Sequence, residues 1–340
     1  MEPSVAPVLD AHAHAVPEPL LRDLTRGGGI DGVTAREVEQ GWVVELPGAE
    51  PKLVRPPMYR ADLRAGYRER TGIDGQLLSP WLDLQPTSAM PADAARSWAR
   101  RVDEALLAEA GDGPGALATV ALDDAERAGK DLEVAVGDGM AGLVLSTDPV
   151  HCENLADRRL DPLWAVAEGL GVPVQLHPSA AGPARALPDS AEFGNAYCRL
   201  VDTTFALARL LLGGVLDRFP RLRLITVHGG GFLPYQAARL DGAHRADALA
   251  GHVIGRDRPS DYLSDLYYDT VAMTPEAIGV LAAAVGPERV LLGSDHPFPL
   301  GDPQPVTTVR EAGLGPAGTA AVLGGTLGGL LAPSTTGSSS

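Results

Sequence analysis

The sequence predicts an α/β fold in which eight parallel strands alternate with helices, as a closed barrel or a large open sheet. Short apolar runs recur along the 340 residues, and each is followed by an Ala-, Leu- and Arg-rich stretch of helical period. Runs such as GLVLS are apolar throughout, as expected for strands that are covered on both faces. The hydrophobic fraction of 45% is sufficient for one sizeable core.

Each strand is predicted where a β-branched or Leu-rich run ends in a polar residue or a turn. The eight strands are Val8–His12, Gln76–Trp81, Leu117–Leu122, Gly142–Ser146, Val172–His177, Leu222–His228, Tyr267–Val271 and Arg289–Ser294. The helices between them are Ala92–Ala110, Asp123–Val136, Asp161–Gly169, Asn195–Arg218, Leu233–Ala248 and Pro275–Val285, and a helical region from Val306 to Leu331 follows.

One segment does not fit this repeat. Gly27–Tyr59 contains GGG, the strand-like run WVVEL and then PKLVRPP, without a convincing long helix. We therefore predict a small inserted β subdomain, or flap, after the first strand. The remainder of residues 1–332 is predicted to form a single domain, and the polar segment Pro333–Ser340 is predicted to be a disordered tail.

The composition argues against several classes of partner. The net charge is −16, from 28 basic and 44 acidic residues, which disfavours binding to nucleic acid or to an anionic membrane surface. An anionic substrate would have to be captured by locally placed arginines. Two cysteines without metal-ligand spacing suit a reducing compartment, and no segment approaches the ~20 apolar residues of a membrane span. A soluble, cytoplasmic protein is the expectation.

Potential metal ligands follow several of the predicted strands. His12 and His14 lie two residues apart at the end of the first strand, so both side chains point to the same side. His177 and His228 end the fifth and sixth strands and Asp295 follows the eighth, and each is followed within two residues by Pro or Gly. Because barrel enzymes build their sites from the carboxyl ends of several strands, these residues are predicted to meet at one mouth around a divalent metal.

The motifs that contain these residues resemble those of the amidohydrolase-related decarboxylases. They are DAHAH, LHPS, HGGG and GSDHPFPLGDP, together with the run LLGGVLDRFPRLRLITVHGGGFLPYQAARLD. The resemblance extends from Asp10 to about Leu331. Within this family, the motifs are similar to those of α-amino-β-carboxymuconate-ε-semialdehyde decarboxylase and γ-resorcylate decarboxylase. It implies a distorted (β/α)₈ TIM barrel of the amidohydrolase type. It also implies one divalent metal (zinc most often, manganese in some members) and a homodimer or larger homo-oligomer.

The resemblance also assigns roles within the site. His12, His14, His177 and Asp295 match the metal ligands, and Asp295 is counted among the catalytic residues as well. His228 matches the histidine that holds the metal-bound water and acts as acid and base. A metal lowers the pKa of its water toward ~7, so an adjacent imidazole can exchange a proton with it. No lysine or other bridging group follows the fourth strand, which favours one metal over two.

A decarboxylase of this kind must bind a carboxylate, which arginine does with a planar fork. Arg55 matches a family arginine in the insertion that reaches over the metal. Arg239 resembles one that enters the neighbouring subunit's site in dimeric members. Arg60, Arg64 and Arg68 are close alternatives to Arg55 in sequence.

Other residues near the predicted mouth have weaker assignments. His296 and Phe298 are expected to contact the substrate or to form the pocket wall. His151 and Cys152 follow the fourth strand, and their roles stay open. The segment after His177 is rich in Ala and Gly and lacks Trp, unlike the muconate enzyme, which indicates a different pocket.

Two activities fit this set of residues. The first is non-oxidative decarboxylation of a small unsaturated or aromatic carboxylic acid. The alternative is hydrolysis of a lactone, an amide or a C–C bond, because the same metal, base and arginine suit both reactions. A non-catalytic binding protein is disfavoured by the complete ligand set.

Overall fold

The computed structural model describes residues 6–26, 29–180, 182–249, 254–271 and 273–332. Eight parallel strands carry the main fold, and three antiparallel strands form a separate small sheet. The strands are β1 (Leu9–Ala15), β2 (Thr34–Val38), β3 (Gly41–Glu45), β4 (Lys52–Val54), β5 (Gly75–Pro80), β6 (Leu117–Ala118), β7 (Gly142–Ser146), β8 (Pro173–His177), β9 (Arg223–Thr226), β10 (Tyr267–Asp269) and β11 (Val290–Leu291). The predicted tail, 333–340, lies outside the described residues.

Helices follow the parallel strands and cover the outside of the ring. They are α1 (Glu18–Asp23), α2 (Pro56–Tyr59), α3 (Ala61–Thr71), α4 (Ala92–Ala110), α5 (Ala125–Gly137), α6 (Asp161–Leu170), α7 (Ser190–Phe193), α8 (Arg199–Leu212), α9 (Val215–Arg218), α10 (Leu233–Arg245), α11 (Pro275–Val285), α12 (Pro305–Glu311), α13 (Gly315–Ala320) and α14 (Thr326–Leu331). No helix among the described residues is both long and apolar enough to cross a membrane.

The parallel strands form two sheets that are joined at both edges. β1 pairs with β5, and β6 to β11 pair in sequence order. A single parallel bridge joins Ala13 to His296, and another joins Leu78 to Ala116. The amide of Ala11 also donates to the carbonyl of Leu292, at 2.8 Å. The eight strands therefore follow one another around a ring, with short ladders where the two sheets meet.

Apolar side chains fill the ring and the space between strands and helices. The inner cluster comprises Ala11, Leu77, Leu82, Leu117, Val144, Ile225, Leu291, Leu327 and Leu330. Two of these belong to α14, and the guanidinium of Arg223 at the start of β9 donates to the carbonyl of Leu330, so α14 closes the amino end of the ring. Full burial of one such Leu or Ile stabilises the fold by roughly 1.5–3 kcal/mol. The opposite, carboxyl end is left for polar residues.

The small sheet, β2–β3–β4, lies within the predicted insertion. Its strands pair in antiparallel register, and Trp42, Val44 and Val54 are buried. The ammonium group of Lys52 lies 3.4 Å from a carboxylate oxygen of Asp83, just beyond β5, so this sheet sits beside the carboxyl ends of the parallel strands. The bounds of the insertion and of the single domain stay predictions.

Several strands are shorter than predicted because side chains take their backbone donors. The third strand was predicted as Leu117–Leu122 but ends at Ala118, since the amide of Thr119 donates to Asp103 instead of to a ladder. The eighth was predicted as Arg289–Ser294 but ends at Leu291, and the amide of Ser294 donates to Asp10.

The predicted helix Asn195–Arg218 is also corrected. It is divided into a π-turn (Gly194–Cys198), α8 and α9. The break between α8 and α9 lies at Gly214, whose φ of 65° is the left-handed conformation that glycine adopts most readily.

Candidate metal centre

The metal centre begins at the end of β1. His12 and His14 are both fully buried, and their Nε2 atoms are 3.0 Å apart. The pairing register of β1 with β5 shifts between Asp10 and Ala13, which marks a bulge at His12 and immediately before His14. Bulges re-aim side chains at the rims of barrels. Both imidazoles are thus presented together at the carboxyl end of the ring.

His177 at the end of β8 and Asp295 beyond β11 complete a group of four. Their ligand atoms and those of the two β1 histidines all lie within 4.8 Å of one another. Asp295 Oδ1 is 3.4 Å from His12 Nε2 and 3.3 Å from His14 Nε2. Within the described residues, neither His177 Nε2 nor Asp295 Oδ1 has a hydrogen-bond partner, although both atoms are buried.

The other ring nitrogen of each histidine is occupied. His12 Nδ1 lies 2.6 Å from Asp269 Oδ2, His14 Nδ1 lies 3.2 Å from the carbonyl of Pro80, and His177 Nδ1 lies 2.8 Å from the carbonyl of Pro178. Each Nδ1 can therefore donate its proton to an oxygen, which leaves the Nε2 lone pairs free. Three such imidazoles with one carboxylate fit a divalent transition-metal ion.

The charges around Asp295 and His177 favour the protonation states that bind a metal. Burial by itself would raise the pKa of Asp295, but the imidazoles of His14, His12 and His228 outweigh it, so this pKa is lowered. Burial lowers the pKa of His177 well below its usual value. For His12, burial also acts to lower the pKa, but the hydrogen bond and charge of Asp269 raise it overall. An ionised carboxylate and a neutral imidazole are the forms that bind metals.

Asp269 was not identified from the sequence, although it contacts two parts of the site. Its Oδ2 contacts His12 Nδ1, and its Oδ1 accepts the amide of Gly229 at 3.0 Å, so one carboxylate orients a ligand and fixes the turn after β9. It is the last residue of β10, and an acidic residue at the end of an apolar strand was the available signal.

Asp10, the first residue of DAHAH, ties β1 to the segment after β11. Its carboxylate accepts the amide of His12 at 3.0 Å, the amide of Ser294 at 3.0 Å and the hydroxyl of Ser294 at 2.6 Å. The side-chain amide of Gln76 donates to it at 2.8 Å. Since His12 and Asp295 flank these contacts, Asp10 fixes the distance between two ligands from opposite ends of the chain.

His228 lies next to the four ligands, in the turn after β9. Its ring centroid is 5.4 Å from those of His12 and His177. Burial lowers the pKa of His228 to about 4, and its Nδ1 has no partner in the described parts of the chain. The glycines that follow allow close packing, because a Cβ at Gly231 would lie 2.6 Å from the carbonyl oxygen of Leu200.

Aromatic rings line one side of the centre. Phe298 lies 5.2 Å from the His14 ring and 6.1 Å from the Trp81 ring, between ring centroids. His296 stacks on Tyr67 at 4.2 Å, and burial lowers the pKa of His296 to about 4. Trp81, directly after β5, was not identified from the sequence as a site residue.

The two predicted arginines are not brought to the ligands by any described contact. Arg55 precedes α2 and Arg239 lies on α10, and both are exposed. His151 is exposed in a left-handed turn, with a φ of 64°. Burial raises the pKa of Cys152, which makes it a poor nucleophile at neutral pH.

Comparison with known proteins identifies the family. Residues 9–326 match the profile of the amidohydrolase family. The chain belongs to this family. The fold agrees, because 96% of this chain superposes on 96% of 5-carboxyvanillate decarboxylase from Novosphingobium aromaticivorans with a TM-score of 0.76 and 19% identity. That structure contains manganese and 4-hydroxy-3-methoxy-5-nitrobenzoic acid. The predicted barrel of the amidohydrolase type is thereby confirmed.

Two relatives of this amidohydrolase are named decarboxylases. The 2-amino-3-carboxymuconate-6-semialdehyde decarboxylase of Dictyostelium discoideum is 28% identical over 178 residues, which are 51% of this chain and 48% of that protein. The γ-resorcylate decarboxylase of a Rhizobium strain is 27% identical over 257 residues, 70% of this chain and 76% of that protein. The chain thus spans about half of the first relative and three quarters of the second. The resemblance predicted from the motifs is confirmed.

Proposed function

We propose that this amidohydrolase is a metal-dependent decarboxylase that releases CO₂ from an aromatic or unsaturated carboxylic acid. The observation that carries the proposal is the convergence of His12, His14, His177 and Asp295 around one point, with His228 beside them. The named activities of the relatives supply the type of reaction. Carboxylic acids are accordingly the proposed class of substrate.

The four ligands would hold one divalent cation, which when bound would polarise substrate oxygens and stabilise negative charge beside the leaving carboxylate. The ring of His228, 5.4 Å from the rings of His12 and His177, would deliver the proton to the carbon that loses CO₂. Phe298 and Trp81 would pack against the ring or the unsaturated chain of the acid, which excludes water from the reacting bond. Asp269 would keep His12 in its orientation throughout.

The choice between zinc and manganese follows from the same donors. Three imidazoles with one carboxylate suit zinc. The Novosphingobium decarboxylase, which is 19% identical to this chain, contains manganese. We propose zinc as the resident ion. Metal analysis of the protein purified without added metal tests this directly, and manganese in near-stoichiometric amount would replace the assignment.

The reaction is tested by the fate of the carboxyl group. Protein loaded with zinc or manganese is incubated with carboxyl-¹³C-labelled hydroxybenzoic and muconate-like acids, in H₂¹⁸O. Labelled CO₂ without ¹⁸O in the organic product is the expected result. Release of no ¹³CO₂ from any acid would oppose the proposal, and ¹⁸O in the product of a lactone or amide would support the hydrolase alternative instead.

We further propose that two copies of the chain associate through an exposed apolar surface. It is formed by Phe193, Tyr197, Phe205, Phe232 and Tyr235, with Phe205 60% and Tyr197 58% exposed. The amide of Phe232 donates to Thr204 on α8 at 2.8 Å, so α8 and the start of α10 lie side by side. Contiguous exposed apolar residues of this kind mark interfaces.

Arg239 lies on the same helix as this surface. It follows Tyr235 by four residues on α10, beyond a kink at Gln236, and both side chains are exposed. A second copy packed there would face Arg239, as the family resemblance implies. Light scattering should give a dimer for the wild type and a monomer for Phe205→Asp; a monomeric wild type would refute the dimer. A cytoplasmic location stays a prediction.

A further inference from the structure

The arginines of this chain differ in how their charge is used. Eight of those described are buried or half-buried, namely Arg64, Arg68, Arg96, Arg199, Arg218, Arg223, Arg256 and Arg289. Seven of these place the guanidinium on a carboxylate, a backbone carbonyl or an aromatic ring. Arg199 alone in this set has no side-chain hydrogen bond, ion pair or ring contact with a described residue. A half-buried guanidinium without a partner is costly, and buried charges are normally paired.

Arg199 occupies a defined place beside the metal centre. It is the first residue of α8, directly after the π-turn, and its carbonyl accepts the hydroxyl of Thr203 at 2.9 Å. Residues 178–180 and 182–186 follow His177 in the chain, and α7 and the π-turn lie between them and this helix. Asp83 accepts the amide of Ala180 at 3.0 Å, which anchors the start of that segment.

The end of this segment is anchored from α8. Asp202, one turn after Arg199, accepts the amide of Ala184 at 2.8 Å. The segment after His177 is therefore tied to α8 through Asp202 and to the residues just beyond β5 through Asp83.

The packing of α8 brings Arg199 to the region of the metal centre. A Cβ on Gly231, in the turn after β9, would lie 2.6 Å from the carbonyl oxygen of Leu200, the residue that follows Arg199. Arg199 also lies one turn before Asp202, on the face of α8 that contacts the segment after His177. Burial lowers the pKa of Arg199, while nearby aspartates act in the opposite direction.

We infer that Arg199 binds a second carboxylate of the substrate, so that the site takes dicarboxylic acids in preference to monocarboxylic ones. One carboxylate would lie at the metal ligands and be lost, and the other would be held by the planar fork of Arg199. The inference rests on the proposed function only in treating the bound acid as a substrate. Arg199 would position and select the acid, and the bond-breaking step would remain with His228 and the four ligands.

The chain's net charge of −16 sharpens this inference. A dianion approaching the mouth is repelled by the protein as a whole, so it needs a local cation that is not already neutralised. Within a single copy of the chain, Arg55 and Arg239 are exposed, where water screens an ion pair and the contribution to binding is small. Arg199 is the described arginine that is both shielded and unpaired.

The test measures binding and not turnover. Benzoate, phthalate, isophthalate and terephthalate are titrated into the metal-loaded protein by calorimetry, since none is activated for loss of CO₂. The wild type should bind the best-fitting dicarboxylate about 10- to 100-fold more tightly than benzoate, as expected for a shielded charge-assisted pair. Arg199→Met should reduce this ratio to within about threefold while the affinity for benzoate is kept. Arg209→Met, an exposed arginine on the same helix, is the matched control and should leave the ratio unchanged.

Three results would overturn the inference: a wild type that binds no dicarboxylate more tightly than benzoate, a preference that persists in Arg199→Met, or equal loss in the Arg209 control. Arg199→Lys keeps the charge without the fork, and it remains informative should the methionine variant not fold. Its preference should fall several-fold, and an unchanged preference would count against a bidentate contact. A preference for dicarboxylates without CO₂ release from any acid would contradict the proposed decarboxylase and leave the binding role of Arg199 standing.

Discussion

Two buried carboxylates in different regions of the molecule show how the metal centre differs from a buried acidic residue elsewhere in the fold. Asp295 lies at the carboxyl end of the barrel, and Asp103 lies on α4 beside a cavity of about 100 Å³ that α5 also lines. Both are less than a tenth exposed. The imidazoles around Asp295 lower its pKa in spite of burial, whereas burial raises the pKa of Asp103 well above its usual value.

The surroundings of the two residues explain the difference. Asp103 has one described hydrogen bond, from the amide of Thr119 at 2.9 Å, and Arg96, which lines the same cavity, is paired with Asp93 and Asp123. Asp295 faces three imidazole Nε2 atoms whose Nδ1 partners are already fixed. Burial of an acid therefore does not make a site. A site arises where several fixed lone pairs share one point, and substitutions at the two regions should differ accordingly.

The largest expected effect comes from removing a ligand at the mouth. Asp295→Asn should lower the affinity for the divalent metal by more than about 100-fold, beyond the 10- to 100-fold typical of a residue behind a ligand, and abolish CO₂ release. Chelation of the wild type should do the same reversibly. Metal content after dialysis provides the measurement. Asp103→Asn is the control at the other buried carboxylate, and wild-type metal content in Asp295→Asn would refute the assignment.

His228 should separate catalysis from metal binding within the mouth. His228→Gln is expected to lower kcat by about 10²- to 10⁴-fold, the usual contribution of a proton-transferring side chain, while metal content stays near that of the wild type. Steady-state kinetics and metal analysis of the same preparation check both parts. Parallel loss of metal and activity would make His228 a ligand, and the proposed division of roles would be wrong.

Asp269 tests whether the residue behind a ligand matters. Asp269→Asn keeps the size of the side chain but weakens the hold on His12 Nδ1, so metal affinity should fall by about 10- to 100-fold. Competition with a chromophoric chelator measures the change. Asp112→Asn, an exposed acid after α4, should leave the affinity unaltered. An unchanged affinity in Asp269→Asn would show that packing alone orients the His12 ring.

The sequence was sufficient to predict the residues whose positions depend on strand ends. His12, His14 and His177 lie toward the ends of strands and Asp295 follows one, and parallel strands in a barrel bring their carboxyl ends together whatever their separation in the chain. Asp269 also ends a strand, but no motif accompanies it, and its role depends on the 2.6 Å contact with a histidine 257 residues away. Such a distance follows from how the ring closes and not from local pattern.

Other features depended on competition for backbone donors. The strands predicted to continue through Thr119 and Ser294 end earlier because the carboxylates of Asp103 and Asp10 bind those amides. The pattern of apolar residues carries no information about which backbone amides bind side chains. It therefore predicts where the strands lie but overestimates their length. Arg199 could not be predicted as a site residue for a related reason. The pairing of each arginine depends on the fold, and the sequence does not show which guanidinium lacks a partner among the described residues.

The smallest expected effect is the change in folding stability caused by substitution of Asp103. Because its pKa is raised on folding, mainly by burial, the folded state is favoured when Asp103 is protonated and loses that contribution as the pH rises from about 4 toward the raised pKa. Asp103→Asn removes the charge and keeps an oxygen for the amide of Thr119. The variant should therefore be more stable than the wild type at pH 7, by about 1 kcal/mol, the order of the cost of an imperfectly paired buried polar group. Thermal unfolding from pH 4.5 to 8 should show a difference in Tm that shrinks toward the acid end, whereas Asp112→Asn should show none. A variant that is less stable at pH 7 would mean that ionised Asp103 stabilises the end of β6, and the contrast with Asp295 would then be one of degree.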